Sequence, residues 1–385
     1  MSAPASFPPP PAPSSRASGI AAVAGAVLLV LCLLAGRVAP RQGLLSYLFA
    51  FLFFTGLSAG SLALLLVHVL TGGAWGDALR TPLLAAARVL PLQAVLALPI
   101  LVGMRVLYPW TMPALLAHDT VLRAQGWYLD EGFFVARTVV CFALWLAVLA
   151  VLLRWLAQPA RAAALPRLAA AGLIVYALST LVLATDWVMS LVPQWHSSTF
   201  GMMVATGWML GAAALAVLRS TSRGAPAEQA PRTLRDLGNL LLMFVLAWAY
   251  LAFMQYLTIW IADQPAETSW YISRTLTTWR WLAWFLIAFH FAVPFAVLLS
   301  RQAKQHRTWL AAIAAMLLAA QLADALWLVV PDSRTTGFSL RWTDLLAPAG
   351  IGALWLSLYF RGLRLAPRGA LAQEAAGVPL GSVHG

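Results

Sequence analysis

Four polar residues set inside otherwise apolar stretches carry the chemistry this chain could do. Gln255, His290, Gln321 and Asp324 are the strongly polar side chains, away from the ends, of three consecutive hydrophobic runs. An unperturbed imidazole titrates near neutrality and a carboxylate can exchange protons with it, so the set could relay protons. Gln321 and Asp324 are three residues apart and share one helix face. Pro294 follows His290 by four residues, and its missing N–H frees the carbonyl of residue 290. A freed carbonyl at membrane depth needs water or a side chain as partner. The expectation is a hydrated path through the outer half of a helix bundle. In it Asp324 would meet the outer aqueous phase and His290 would relay inward. The plainer alternative is a satisfied interhelical hydrogen-bond network. No acid is evident beyond His290, so the inner half of a route is missing.

A second set, Arg105, Arg137 and Asp186, falls at similar depth near the outer ends of three earlier runs. Charges there are expensive and need partners, so an Arg–Asp pair that fixes bundle register is expected. The functional alternative is a pocket in which a carboxylate beside an imidazole would accept protons. No histidine lies in the outer halves of these runs.

Redox cofactors of its own do not fit the residues. Haem b between helices wants facing histidines, and only His68 and His290 lie in apolar runs. Two cysteines, Cys32 and Cys141, cannot ligate a four-cysteine cluster; they read as packing residues. No metal site and no catalytic residue is expected.

The elements that must position these groups are membrane spans. About 20 mostly apolar residues cross about 30 Å of hydrocarbon. Ten such stretches are present: 18–36, 43–70, 83–107, 134–156, 168–191, 199–218, 237–260, 279–299, 308–330 and 344–360. Hydrophobic residues make up 62% of the 385 and charged ones 10%, with a mean hydropathy of +0.81. The chain is therefore an all-α polytopic membrane protein. Spans 2–5 and 6–9 are expected to form two up-down four-helix bundles, with spans 1 and 10 peripheral. Gly56 with Gly60, and Gly207 with Gly211, have the spacing of closely packed helix faces. Trp110, Trp127, Trp187, Trp195, Trp260, Trp279, Trp281 and Trp342 sit at span ends and read as an outer aromatic belt. Trp248 and Trp284 lie deeper and read as core. Residues 1–17, with Pro8 to Pro11, read as a disordered tail and not a signal peptide; 361–385 reads as a second tail.

The formal charge of +12 is a topology signal. Alternating connections collect Arg16, Arg80, Arg88, Arg154, Arg161, Arg167, Arg219, Arg223, Arg232, Arg235, Arg301, Lys304, Arg307, Arg361, Arg364 and Arg368 on one side, sixteen of the 25 basic residues. Only Asp77, Glu228, Asp236 and Glu374 join them out of 13 acids. The positive-inside rule makes that side cytoplasmic and places both termini there. No contiguous basic domain exists, which excludes a nucleic-acid role.

Local strings go further. Ser46-Tyr47-Leu48 opens span 2, and Leu70-Thr71-Gly72-Gly73-Ala74-Trp75-Gly76 closes it. Leu107-Tyr108-Pro109-Trp110 ends span 3, and Trp127-Tyr128-Leu129 precedes Gly132-Phe133-Phe134 and Arg137. The most specific is Asp186-Trp187-Val188-Met189-Ser190-Leu191, continuing through Pro193, Trp195, Ser198-Thr199 and Gly201. Asp236-Leu237-Gly238-Asn239-Leu240, Gln255-Tyr256, Ile259-Trp260, Trp270-Tyr271, His290-Phe291, Pro294-Phe295, Leu299-Ser300-Arg301 and Trp327 follow in order. Together, over about residues 43 to 332, they resemble the ActF membrane subunits of bacterial alternative complex III, a quinol:cytochrome c oxidoreductase, among the NrfD/PsrC-like membrane proteins. Two departures stand out. His196 and an extra Ser197 intervene before Ser198-Thr199, and residues 81–87 lack the family's glutamate.

The resemblance implies ten helices in two bundles and a bacterial inner-membrane location. It implies a homologous quinol-binding membrane subunit, an iron–sulfur subunit and a multihaem cytochrome as partners. It also implies that quinol is bound by a partner and that this subunit is structural or proton-translocating, without its own cofactor. Two alternatives remain: a quinol-binding subunit in its own right, and a secondary transporter. Transport would predict broken spans in matching positions, which are not evident.

Overall fold

The computed structural model describes residues 15–113, 115, 120–222, 231–334 and 337–365. Within them the chain is all-α and polytopic, with ten helices long and apolar enough to cross a membrane. These are α1 (Arg16–Ala35), α2 (Pro40–Thr71), α3 (Ala74–Val102), α4 (Glu131–Leu156), α5 (Pro159–Leu191), α6 (Phe200–Thr221), α7 (Pro231–Ala262), α8 (Arg280–Leu299), α9 (Arg307–Val329) and α10 (Trp342–Leu365). Most begin earlier than their hydrophobic runs. Apolar composition marks the hydrocarbon, whereas backbone hydrogen bonding continues into the polar flanks. Proline in the first turn, as at Pro40 in α2, costs no hydrogen bond because those N–H groups lack helical partners anyway. The helical part of α1 takes in Ser15 to Ala17, and α10 extends through Arg361 to Leu365. The rest of the two expected tails, with Pro8 to Pro11, Arg368 and Glu374, lies outside the described residues, as do Arg223 and Glu228.

Prolines shape two spans. α3 is built from short helical pieces, with Pro91 and Pro99 at the starts of two of them. α8 switches register over Ile287–Ala292, a π-helical turn, immediately before Pro294. The Pro294 ring removes one donor from the helix, and the widened turn absorbs the change. The expected kink is therefore a π-bulge centred on His290.

The two bundles close as rings: α2–α3–α4–α5 and α6–α7–α8–α9. They meet mainly through α6, which packs on α2 and also on α5 and α3, while α2 also meets α9. Small residues allow the close approach, with Gly56 and Gly60 facing Trp208 of α6 and Gly207 and Gly211 facing Gln321 of α9. α1 packs almost wholly on α10, which in turn lies against α2 and α3. Its far side, including Ile20, Val23, Val27 and Val30, is exposed, as suits a lipid-facing peripheral helix.

The aromatic belt needs correction. Trp127, Trp260, Trp281 and Trp342 are exposed near span ends, but Trp110, Trp187, Trp195 and Trp279 are almost completely buried. Trp187 stacks with Phe142, Trp195 with Trp270, and Trp279 donates Nε1–H to the Arg334 carbonyl. Trp248 is buried as expected, whereas Trp284 is exposed. Tryptophan prefers either setting, so position near a span end cannot separate a belt residue from a loop anchor.

The topology expected from the positive-inside rule has both termini on the cytoplasmic side. A periplasm-active phosphatase fused after Gly385 should be silent and one fused after Gln125 active. The reverse pattern would end the ten-span topology.

Candidate functional site

One end of the helices holds three Arg–Asp pairs with buried arginines, and the second bundle holds one polar cluster without ion pairs. Arg137 is carried near the start of α4, whose first turn is capped by Asp130 accepting from the Phe133 N–H. Its Nε donates to Asp186 Oδ2 at 2.6 Å and its Nη2 to Oδ1 at 3.0 Å. The side chain of Arg137 is 9% exposed and that of Asp186 is 0% exposed. Nη1 donates to the Tyr128 carbonyl, and the guanidinium lies over the rings of Tyr128 and Phe133 at 3.9 and 4.3 Å. Every face of the cation is thus engaged, which is what burial of a charge demands.

Arg105 does not join this pair. It reaches Glu131 instead, Nη2 to Oε2 at 2.9 Å, in an exposed arrangement. The Glu131 carboxylate holds the Arg105 guanidinium above its usual range. An exposed pair of this kind adds little to stability. The carboxylate oxygens of Asp186 are both occupied by Arg137, so the pair offers no free carboxylate for quinol protons. His196 lies at the same end of the molecule but contacts Gln125.

Two further buried pairs were not singled out from the sequence. Arg274, on the outer helix Pro265–Thr275, gives Nη2 to Asp332 Oδ2 at 2.6 Å and Nη1 to Oδ1 at 2.9 Å. Its remaining hydrogens go to the carbonyls of Trp270, Trp327 and Leu328, and Trp270 stacks on it at 3.5 Å. Burial pulls Arg274 below its usual range, and Asp332 opposes that. Arg334 is bidentate to Asp344 of α10, which also accepts from Ser46 Oγ of α2 at 2.6 Å. Ser46 belongs to the Ser46-Tyr47-Leu48 string that opens span 2. The available signal was charge balance: nine basic residues outside the cytoplasmic set face nine acids. Spacing could not say which pairs form.

In the second bundle the structure brings three of the four expected residues together. His290 is fully buried on the π-turn of α8, its ring centroid 4.0 Å from that of Trp248 on α7. Gln321 Nε2 donates to Asp324 Oδ2 across one turn of α9 at 3.5 Å, at the limit of a hydrogen bond. Gly207 and Gly211 of α6 leave the space that the Gln321 side chain fills. Trp248 lies within interaction range of Asp324, and Gln321 within range of His290. Yet His290 Nδ1, His290 Nε2, Trp248 Nε1 and Gln321 Oε1 are buried without a hydrogen-bond partner. Trp248, read from the sequence as packing, is thus a fourth member.

Gln255 belongs elsewhere. It sits two turns from Trp248 on α7, about 10 Å along the axis. Its Nε2 donates to Tyr271 Oη at 3.2 Å and its Oε1 accepts from Ser197 Oγ at 3.3 Å. Ser197 is therefore one of its partners. No hydrogen bond joins Gln255 to His290, Gln321 or Asp324 among the described residues. Burial raises the Tyr271 hydroxyl to about 12.

Among the described residues no group of His, Cys, Asp and Glu could hold a metal ion. Both cysteines are free and buried. No family model matches the chain, and no curated protein sequence matches it.

Proposed function

We propose that this integral membrane protein is an ActF-like subunit of a bacterial alternative complex III, non-catalytic in quinol oxidation and contributing a proton-conducting element through its second bundle. The motif order between residues 43 and 332 supports the first part. One observation carries the second: the unpartnered polar atoms of His290, Trp248 and Gln321 gathered around Asp324. Buried polar groups in an apolar bundle are normally satisfied, because leaving one unpaired costs several kcal/mol at membrane depth. A donor–acceptor set that is not mutually satisfied, on a π-turn, suits groups that exchange partners with water.

In this reading Asp324 takes up or releases a proton toward the outer side, five residues from the end of α9. His290, packed against the Trp248 ring, passes it inward from whichever ring nitrogen is free. Gln255, separately bonded to Ser197 and Tyr271, lies outside this step. The partner proteins carry the redox chemistry, and the cytoplasmic membrane is the expected location.

Asp324→Asn and His290→Phe, each in the assembled complex in vesicles, should leave quinol oxidation within about twofold while linked proton release falls. Unchanged proton release with normal assembly would make the cluster structural. Purification from the native membrane should bring down a haem-staining multihaem cytochrome and an iron–sulfur protein; their absence would remove the complex assignment.

A further inference from the structure

The connection between α8 and α9 contains a lysine whose surroundings are wrong for an isolated cation. Lys304 lies on the short helix Arg301–Gln305, and only 7% of it is exposed. Its stem runs across Gly238 of α7, where a Cβ would come within 2.5 Å of the Lys304 Cγ. Glycine at that position opens the notch through which the lysine reaches its end point. There Nζ donates to Asn239 Oδ1 at 2.8 Å, a neutral acceptor on an exposed residue. An ammonium has three donors, and a buried cation normally meets a carboxylate.

The neighbours make the deficit larger. Arg235, one turn before Asn239 on α7, and Arg301 both lie within electrostatic reach of Lys304. Burial first, then these two like charges, pull the lysine below its usual range. Neither arginine has an ion-pair partner among the described residues, and Asp236 pairs with none of the three. Arg235 is half-buried and Arg301 exposed, so both guanidinium groups can turn toward a shared ligand. The cluster sits where the hydrophobic run of α7 begins, at Leu237, which is headgroup level for a membrane helix.

We infer that Lys304, Arg235 and Arg301 form a phosphate-binding site that takes the headgroup of an anionic phospholipid. Guanidinium groups fork onto phosphate oxygens, while the ammonium of Lys304 supplies a fixed point charge held in the Gly238 notch. Basic pockets at the cytoplasmic ends of membrane helices are suited to such headgroups, and adjacent apolar surface can hold the acyl chains. Phe253, Met243 and Leu246, exposed along α7, supply apolar surface on the same helix. The site is separate from the polar cluster around Asp324 and does not depend on the function proposed for it.

The test reconstitutes the full chain, in its native assembly, in nanodiscs of phosphatidylcholine with or without phosphatidylglycerol. Retained lipid is then counted by native mass spectrometry. Wild-type protein should hold phosphatidylglycerol preferentially and lose that preference about fivefold for each charge removed in Arg301→Gln and Lys304→Gln. Arg301 is exposed, so its variant keeps the test valid if Lys304→Gln fails to fold. Arg161→Gln, on another basic connection of the same face, should leave retention unchanged. Inorganic phosphate in excess over the lipid should not displace it. Displacement by phosphate would assign the site to a free anion and overturn the lipid reading. Equal retention in wild type and Arg301→Gln, or an equal loss in Arg161→Gln, would overturn the site itself.

Discussion

Asp186→Asn is expected to destabilise the protein by about 3–5 kcal/mol, because it strips the counter-charge from a buried arginine. Arg137 is 9% exposed and its partner carboxylate fully buried, so water cannot replace the lost charge. The asparagine keeps the size and one acceptor of the aspartate but cannot take both guanidinium bonds, at 2.6 and 3.0 Å, as an anion. Combining it with Arg137→Met should recover part of the loss, since the stranded cation is then gone as well. Additive damage in the double variant, measured by unfolding in mixed micelles, would show that the two groups do not couple. Arg105→Gln combined with Asp186→Asn should show no coupling, because Arg105 is held by Glu131 at the surface. That contrast separates a specific pair from a general sensitivity to charge.

Gly60→Val should be the most damaging single change in the apolar interior. A Cβ at Gly60 would stand 2.3 Å from the Trp208 carbonyl oxygen and 2.6 Å from its carbon, both backbone atoms. A side chain could rotate away, but a backbone cannot, so α2 and α6 must separate. Overpacking costs about 1–3 kcal/mol where side chains can yield, and more is expected here. The α2–α6 contact joins the two bundles, so assembly yield and thermal stability should fall together. Gly19→Ala is the control, with nothing within 4 Å of its would-be Cβ. It should not destabilise, because alanine at an open helical position is favoured over glycine by up to about 1 kcal/mol. Equal behaviour of the two variants would mean that the helices are not in close contact at Gly60.

Much of the architecture was legible before any coordinates. The ten spans follow from apolar stretches of about 20 residues, a local property that the bilayer enforces on each stretch separately. The charge asymmetry across alternating connections follows from the same order of residues. The glycine pairs on α2 and α6 pointed to close packing, and both pairs do face neighbouring helices.

The sites were legible only in part. Arg137, Arg105 and Asp186 are expected at one level, but which arginine meets the aspartate depends on how α4 and α5 are rotated about their axes. Gln255 and Asp324 share a broad depth and a bundle, yet Ser197 and Tyr271 claim the former while the latter turns toward Trp248. The π-turn at His290 adds to the difficulty, since an extra residue in one turn changes the direction of the side chains within it. Residue order alone is enough for ten helical spans with polar groups in the second bundle, because hydrocarbon thickness acts on one helix at a time. Which charges pair, how α6 joins the bundles, and that Trp248 takes the place of Gln255 near Asp324 emerge only with the packed fold. Those outcomes depend on helix rotation and close packing between residues far apart in the chain, which no local spacing encodes.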